Sequence, residues 1–159
     1  MARIAIHGFG RIGRSAMKAG LKNNLFTPAS ISDIKDIPTL AALFEVDTNY
    51  GRWPEEVGTY DGGFVIGGRK IPYYDSMKSL PDWRGLGVDL VIDCTGRATT
   101  RSVAQAHIDA GAKRVLVSAA SKTLNDCDAV LLPGINLDQF DPGKHKIISM
   151  ASCTTNALA

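Results

Sequence analysis

Arg3-Ile4-Ala5-Ile6-His7-Gly8-Phe9-Gly10-Arg11-Ile12-Gly13-Arg14 is the stretch that decides how this 159-residue chain folds. Arg3 to His7 is a short apolar strand, and Arg11 to Lys22 keeps a helical period through Ile12, Ser15, Ala16 and Ala19 before the breaker Asn23-Asn24. Between them Gly8 to Gly13 fits G-x-G-x-x-G, with a strand before it and a helix after it, as a dinucleotide-binding crossover requires. Each glycine has a separate reason. Gly8 permits the tight turn, Gly10 lets a pyrophosphate approach the backbone, and Gly13 lets the helix pack on the sheet. The helix start offers unpaired N–H groups and partial positive charge, to which Arg11 adds a full charge. Asp33 lies about 20 residues further on, where a carboxylate accepts the hydroxyls of an adenosine ribose and repels a 2′-phosphate. NAD is therefore expected in preference to NADP. Gly8, Phe9, Gly10, Arg11, Ile12, Gly13 and Asp33 form the candidate cofactor-binding set. A protein-kinase glycine loop shares the string, but the V-A-I-K and H-R-D motifs are missing.

Outward from this unit, Thr27 to Ser32 supplies a second strand. Asp36 then caps a helix with Pro38 in its first turn and Leu40, Leu43 and Phe44 facing inward. From Asp47 to about Asp82 glycine, proline and aromatics cluster, and Gly67-Gly68 joins Phe64-Val65-Ile66 to Arg69-Lys70-Ile71 as a two-residue hairpin turn does. Val88 to Cys94 is a nearly continuous apolar run, the mark of a strand covered on both faces. Thr99 or Thr100 caps a helix through Ala110 that Gly111 ends; Arg114 to Ser118, Ala129 to Leu132 and Lys146 to Met150 are further strands. The class is α/β: a doubly wound, Rossmann-like, mostly parallel sheet with an antiparallel hairpin insertion. Ligands of such sheets sit beyond the carboxyl ends of the strands.

Composition narrows the partners. Lysine and arginine number 18 against 16 acidic residues, 45% of the chain is apolar, and no basic run or basic-aromatic stripe marks a nucleic-acid face. The opening residues are too weakly apolar for a signal peptide and no segment approaches a membrane span, so a cytoplasmic protein with no membrane partner is expected. The three cysteines, Cys94, Cys127 and Cys153, are widely spaced and lack C-x-x-C pairs, which fits a reducing compartment and no metal. Of the histidines, His107 on a helix and His145 in a turn read as surface residues, and His7 reads as a loop hydrogen-bonding residue, not a catalytic base.

Cys153 stands apart. It follows the strand Lys146 to Met150 in Ser152-Cys153-Thr154-Thr155-Asn156, at the start of a helix, a placement that favours thiolate. It is the candidate nucleophile. Cys94, within its strand, and Cys127 read as small buried hydrophobes.

These residues also resemble glyceraldehyde-3-phosphate dehydrogenases over essentially the whole chain. Ile6 to Arg14 is similar to that family's INGFGRIGR; Ser32-Asp33 to its N-D; Asp47-Thr48 with Gly51 to D-[ST]-x-x-G; Thr95-Gly96 with Thr99-Thr100 to STG-x-[FA]-TT; Ser118 to Ser121 to SAPS. Ala151 to Asn156 matches ASCTTN in full. His7, Ser32 and Met150 stand where the family pattern has asparagine. The resemblance implies NAD-dependent oxidation of glyceraldehyde 3-phosphate with inorganic phosphate, through a thiohemiacetal and thioester on Cys153. Ser152 and Thr154 would contact substrate or phosphate, and Thr95, Gly96 and Ser118 would line the nicotinamide-ribose side. It implies a division into residues 1–150, the NAD(P)-binding domain, and 151–159, the start of a catalytic domain. That domain would supply the base histidine, most phosphate-binding groups and homotetramer contacts. The expected alternatives are a dinucleotide-binding module without turnover, and a sister activity on erythrose 4-phosphate.

Overall fold

A computed structural model describes residues 1–159. The first unit folds where the glycine spacing placed it: strand β1 spans Arg3–His7, helix α1 Arg11–Lys22, and strand β2 Thr27–Asp33. Helix α2, Ile37–Glu45, starts at Asp36, whose carboxylate accepts the Thr39 N–H at 2.9 Å. Its buried residues are Leu40, Ala41 and Phe44. Leu43, expected inward, is 39% exposed, because Ala41 takes the second inward position on so short a helix.

Strands β3 (Val46–Asp47) and β4 (Gly51–Arg52) form a small antiparallel pair. Strands β5 (Val57–Tyr60), β6 (Gly63–Ile66) and β7 (Arg69–Asp75) run antiparallel to one another. Gly67 and Gly68, at φ +54° and +74°, make the β6–β7 turn, a conformation only glycine takes without strain. Strand β8 (Leu90–Asp93), helix α3 (Arg101–Asp109), strand β9 (Arg114–Val117), the short strands β10 (Ala129–Val130) and β11 (Ile147–Ser149), and helix α4 (Cys153–Leu158) complete the chain.

Nine strands share one sheet in the order β10-β11-β9-β8-β1-β2-β7-β6-β5. All pairs from β10 to β7 are parallel. The hairpin segment is thus a continuation of the main sheet, since β7 pairs parallel with β2 through Ile31, Ser32 and Asp33. The chain leaves β1 to one side for β2 and returns on its other side with β8, so the order reverses at β1, where a crevice opens above the strand ends.

Alternation along β1 sorts the two faces. Ile4 and Ile6 join Met17, Leu21, Leu40 and Phe44 under α1 and α2, while Ala5 packs with Trp83, Val91 and Ala112 on the opposite face. Val115, Val117 and Ile147 bury a third cluster with Ala104 of α3. No helix is long and apolar enough to cross a membrane.

Candidate functional site

The glycines of the first crossover meet three different surroundings. Gly8 sits at φ +88°, and a Cβ there would come within 2.7 Å of the Thr95 nitrogen, so both conformation and space demand glycine. At Gly13 a Cβ would lie 2.1 Å from the Gly8 carbonyl oxygen, which lets α1 press against the loop. Gly10 differs: it is exposed, its φ is negative, and a Cβ would meet no protein atom within 4 Å. That open space lies at the N-terminus of α1, whose first N–H groups have no side-chain cap.

Asp33 closes the loop from β2. Its Oδ2 accepts the Phe9 N–H at 2.6 Å, and its Oδ1 accepts Ile34 N–H at 2.8 Å and Lys35 N–H at 3.0 Å. A carboxylate has about four acceptor positions, so roughly one, on Oδ2, is left for a ligand hydroxyl. Tyr73 fastens the same segment from β7, its hydroxyl donating to the Asp33 carbonyl at 2.8 Å and shared with the Lys35 carbonyl. Burial and the nearby Asp33, Asp75 and Asp36 carboxylates push the Tyr73 hydroxyl up to about 12, so it stays a donor.

Above these strand ends lies a cleft of about 660 Å³, within the usual range for small-molecule sites. Among the residues singled out from sequence, Gly8, Gly10, Asp33 and Thr95 line it. Phe9 does not: its ring is fully buried against Phe44 and Phe64, and only its backbone serves the loop. Arg11 and Ile12 are exposed on the first turn of α1, outside the cleft wall, and Gly13 is packed beneath. Gly96 is exposed at φ +72° and Ser118 is half-buried; neither lines the cleft.

Sequence reasoning missed the far wall. Ile34, Met77, Leu80, Val103 and Ala106 line it, and Ile34 and Met77 are 54% and 73% exposed. Two large apolar side chains left open beside a polar carboxylate suit a ligand with a flat apolar face next to hydroxyls. The only available signal was their place at strand ends. A larger cleft, about 850 Å³, lies between α1 and the Tyr50–Glu55 segment, but three of the four cations lining it are already engaged: Arg52 with Glu45, Arg69 with Glu55, and Lys18 over the Phe44 ring.

His107, expected at the surface, is 1% exposed. The correction has a plain cause. Trp83 Nε1–H donates to His107 Nδ1 at 3.1 Å, and His107 Nε2 lies 3.2 Å from Asp93 Oδ2. An indole only donates, so His107 is neutral with its hydrogen on Nε2, and its contact with Asp93 is a hydrogen bond, not an ion pair. His145, also expected at the surface, is half-buried and accepts the Asp141 N–H through Nδ1 at 3.2 Å. Burial disfavours the Asp93 charge, yet bonds from His107 and from Thr95 N–H and Oγ1 outweigh it and hold the carboxyl below its ordinary range. His7, Asp93 and His107 place ligating atoms within 4.8 Å of one another, but the Trp83 bond leaves His107 no lone pair for a metal.

His7 bonds through Nδ1 to Ser32 Oγ at 2.8 Å, a hydrogen-bonding role as expected, though on the strand end and buried. Burial lowers it from 6.5 to about 4 against the opposing pull of Asp93 and Asp33. The unfolded chain therefore takes up this proton first. Stability from His7 is full above about pH 6.5 and is lost as pH falls toward 4, by up to about 3 kcal/mol. Urea midpoints measured from pH 7 to 4.5 should fall less steeply in His7→Asn than in the parent.

The other candidate group lies on the same rim. Strand register matches Asp93 with Val117 and Val117 with Ser149, so Thr95, Ser118 and Cys153 all follow the carboxyl ends of neighbouring strands. Cys153 is exposed at the first position of α4. Ala151 just before it is buried at φ +59°, a left-handed conformation that costs a non-glycine residue about 1 kcal/mol or more. Its N–H is held by Ser149 Oγ at 3.1 Å, and Asn156 Nδ2 clasps the Met150 and Ser152 carbonyls at 2.8 and 2.9 Å. Ser152 Oγ accepts the Thr155 N–H at 3.0 Å and lies 2.8 Å from Thr154 Oγ1. The turn is thus braced on both sides around an open thiol. Cys153, Ser152 and Thr154 do not line the cleft itself. Cys94 does, but burial pushes its thiol up to about 12.

Residues 2–101 match the family model described as glyceraldehyde 3-phosphate dehydrogenase, NAD binding domain. The whole chain is 44% identical to the glyceraldehyde-3-phosphate dehydrogenase of Kitasatospora aureofaciens, of which it covers 48%. With 99% of its length aligned, it is 41% identical to that of Geobacillus stearothermophilus and 44% identical to glyceraldehyde-3-phosphate dehydrogenase 1 of a Nostoc strain, covering 46% of each. It spans about half the length of the curated relatives it matches. The fold agrees with those matches: the chain belongs to the glyceraldehyde 3-phosphate dehydrogenase family through its NAD-binding domain, and NAD is its cofactor.

Proposed function

We propose that this chain is the dinucleotide-binding part, with the nucleophile, of an enzyme that oxidises glyceraldehyde 3-phosphate to 1,3-bisphosphoglycerate. The open space at Gly10 carries the reading, because it is the one place on the crossover where a phosphate can reach α1's N–H groups. The residues present fit NAD. Gly8, Gly10 and the first turn of α1, with Arg11, would hold the pyrophosphate; Asp33 Oδ2 would take a ribose hydroxyl; Ile34 and Met77 would cover the adenine; and Thr95, with Gly96 and Ser118 outside the cleft wall, would lie toward the nicotinamide. When bound, NAD supplies the hydride acceptor.

Cys153 adds its sulfur to the aldehyde carbon and afterwards holds the acyl group as a thioester, which inorganic phosphate cleaves. Ser152 and Thr154 flank that sulfur with hydroxyls for substrate or phosphate, although both already bond within the turn. Residues 1–150 form the cofactor domain and 151–159 begin the catalytic one. The base histidine and the tetramer contacts belong to the half of the relatives that this chain does not cover, and the working compartment is the cytoplasm.

Joined to the remaining half of the Geobacillus stearothermophilus enzyme, the chain should form NADH from glyceraldehyde 3-phosphate and phosphate, and Cys153→Ala should abolish this. Calorimetry should show the 159-residue chain binding NAD; a chain that binds none overturns the reading. Asp33→Asn should weaken NAD about tenfold and NADP little, since the lost charge attracts a ribose hydroxyl but repels a 2′-phosphate. Equal losses for both would remove Asp33 from the ribose.

A further inference from the structure

We propose that His7 contacts the adenosine half of the dinucleotide through its free ring nitrogen and positions Asp33 through Ser32, a role that rests on NAD occupying the cleft described above. The two buried histidines of this site differ in one decisive respect. His107 has both ring nitrogens occupied, by Trp83 and Asp93. His7 has one: Nδ1 meets Ser32 Oγ at 2.8 Å, and no hydrogen bond from the protein reaches Nε2. Its side chain is more than nine-tenths buried, and what remains open faces the cleft, beside Gly8, Asp33 and Asp93. A ring nitrogen on a cleft wall with no protein partner is left for water or a ligand to meet.

Strand register puts His7 level with Ser32 on one side and Asp93 on the other. Ser32 is fully buried, and its neighbour Asp33 reaches back to the Phe9 N–H at 2.6 Å, while Gly8 N–H donates to the Ser32 carbonyl at 2.7 Å. The His7–Ser32 bond therefore ties the ribose-facing end of β2 to the crossover loop. His7 and Ser32 are also two of the positions that depart from the family pattern, and here they touch: a larger ring stands opposite a smaller hydroxyl. The ligand class is a 5′-adenosine nucleotide, whose ribose hydroxyls and adenine edge offer partners to an imidazole nitrogen. The charged and titratable groups facing His7 are His107 from α3, Asp93 from β8 and Asp33 from β2.

The test uses the 159-residue chain labelled with ¹⁵N, titrated separately with NAD, AMP and nicotinamide mononucleotide. His7 Nε2 should shift with NAD and AMP and not with nicotinamide mononucleotide, while the ring nitrogens of His107 stay in place. By calorimetry, His7→Phe should weaken NAD and AMP about three- to tenfold, the loss of one hydrogen bond. Ser32→Ala should weaken both by less and leave the Nε2 shift on AMP binding intact. If the Gly8, Gly10 and Asp33 amides respond to AMP but His7 Nε2 does not, the proposal fails and the cofactor site stands. If none of them responds, the reading of the cleft fails with it. Should His7→Phe not fold, the titration of the parent chain decides alone.

Discussion

In the Gly10→Val variant NAD affinity should fall at least about a hundredfold while the circular dichroism spectrum stays unchanged. A Cβ at Gly10 meets no protein atom within 4 Å, and the residue's φ of −68° is one that valine adopts. The fold therefore accepts the change at the cost of a poorer helix cap, about 1 kcal/mol, or a few degrees in Tm. The branched methyls fill the approach to the first N–H groups of α1, and a pyrophosphate held away from those donors loses several charge-assisted hydrogen bonds at once. A hundredfold loss corresponds to about 2.7 kcal/mol, less than two such bonds contribute together. Gly13→Ala is the contrasting case. Its Cβ would stand 2.1 Å from the Gly8 carbonyl, so stability and binding should fall together. Undiminished NAD affinity in Gly10→Val would take the phosphate contact away from this loop and, with it, the reading of the cleft.

The same three glycines show why much of this architecture could be read from sequence. Their demands are local: a positive φ, a close approach and an open space each exclude side chains whatever lies elsewhere. Asp36 and the Gly67-Gly68 turn are local in the same way, and the structure has them as expected. Long-range geometry was harder. The hairpin segment looked like an insertion because its antiparallel turn is visible in sequence, whereas the parallel pairing of β7 with β2 brings together residues some 40 positions apart with no local mark. By residue type His107 reads as a surface group, but its helical period turns it inward. Ala104, His107 and Ile108 share one helical face, and Ala104 and His107 are buried on it. A buried histidine needs partners for both nitrogens, and these came from Trp83 and Asp93, each distant in sequence. The wall formed by Met77, Leu80, Val103 and Ala106 has the same origin, since only the assembled sheet brings a loop and a helix face together.

Treated with iodoacetamide at pH 7.5, the folded chain should be modified at Cys153 at least about a hundredfold faster than at Cys94. The thiolate is the reacting form. With its thiol pushed up to about 12, Cys94 is almost wholly un-ionised at that pH, and it is half-buried besides. Cys127 is buried and should also lag. Cys153 is open to reagent. It stands exposed at the head of α4 on a turn that keeps a left-handed alanine, a conformation held by Ser149 and by the Asn156 clasp. Strain of this kind persists where the surroundings over-determine it, and here what it presents is a sulfur. The comparison needs an internal reference, because flanking residues alter thiol reactivity even in an unfolded chain. In 8 M urea the three cysteines should react within a few-fold of one another, so the ratio of folded to unfolded rates isolates what the fold contributes at each. Mass spectrometry of peptides quenched over time gives all three rates from one sample. If Cys94 were modified first in the folded chain, the nucleophile assignment would pass from the α4 turn to the cleft floor, and the proposed acyl transfer at Cys153 would have no carrier.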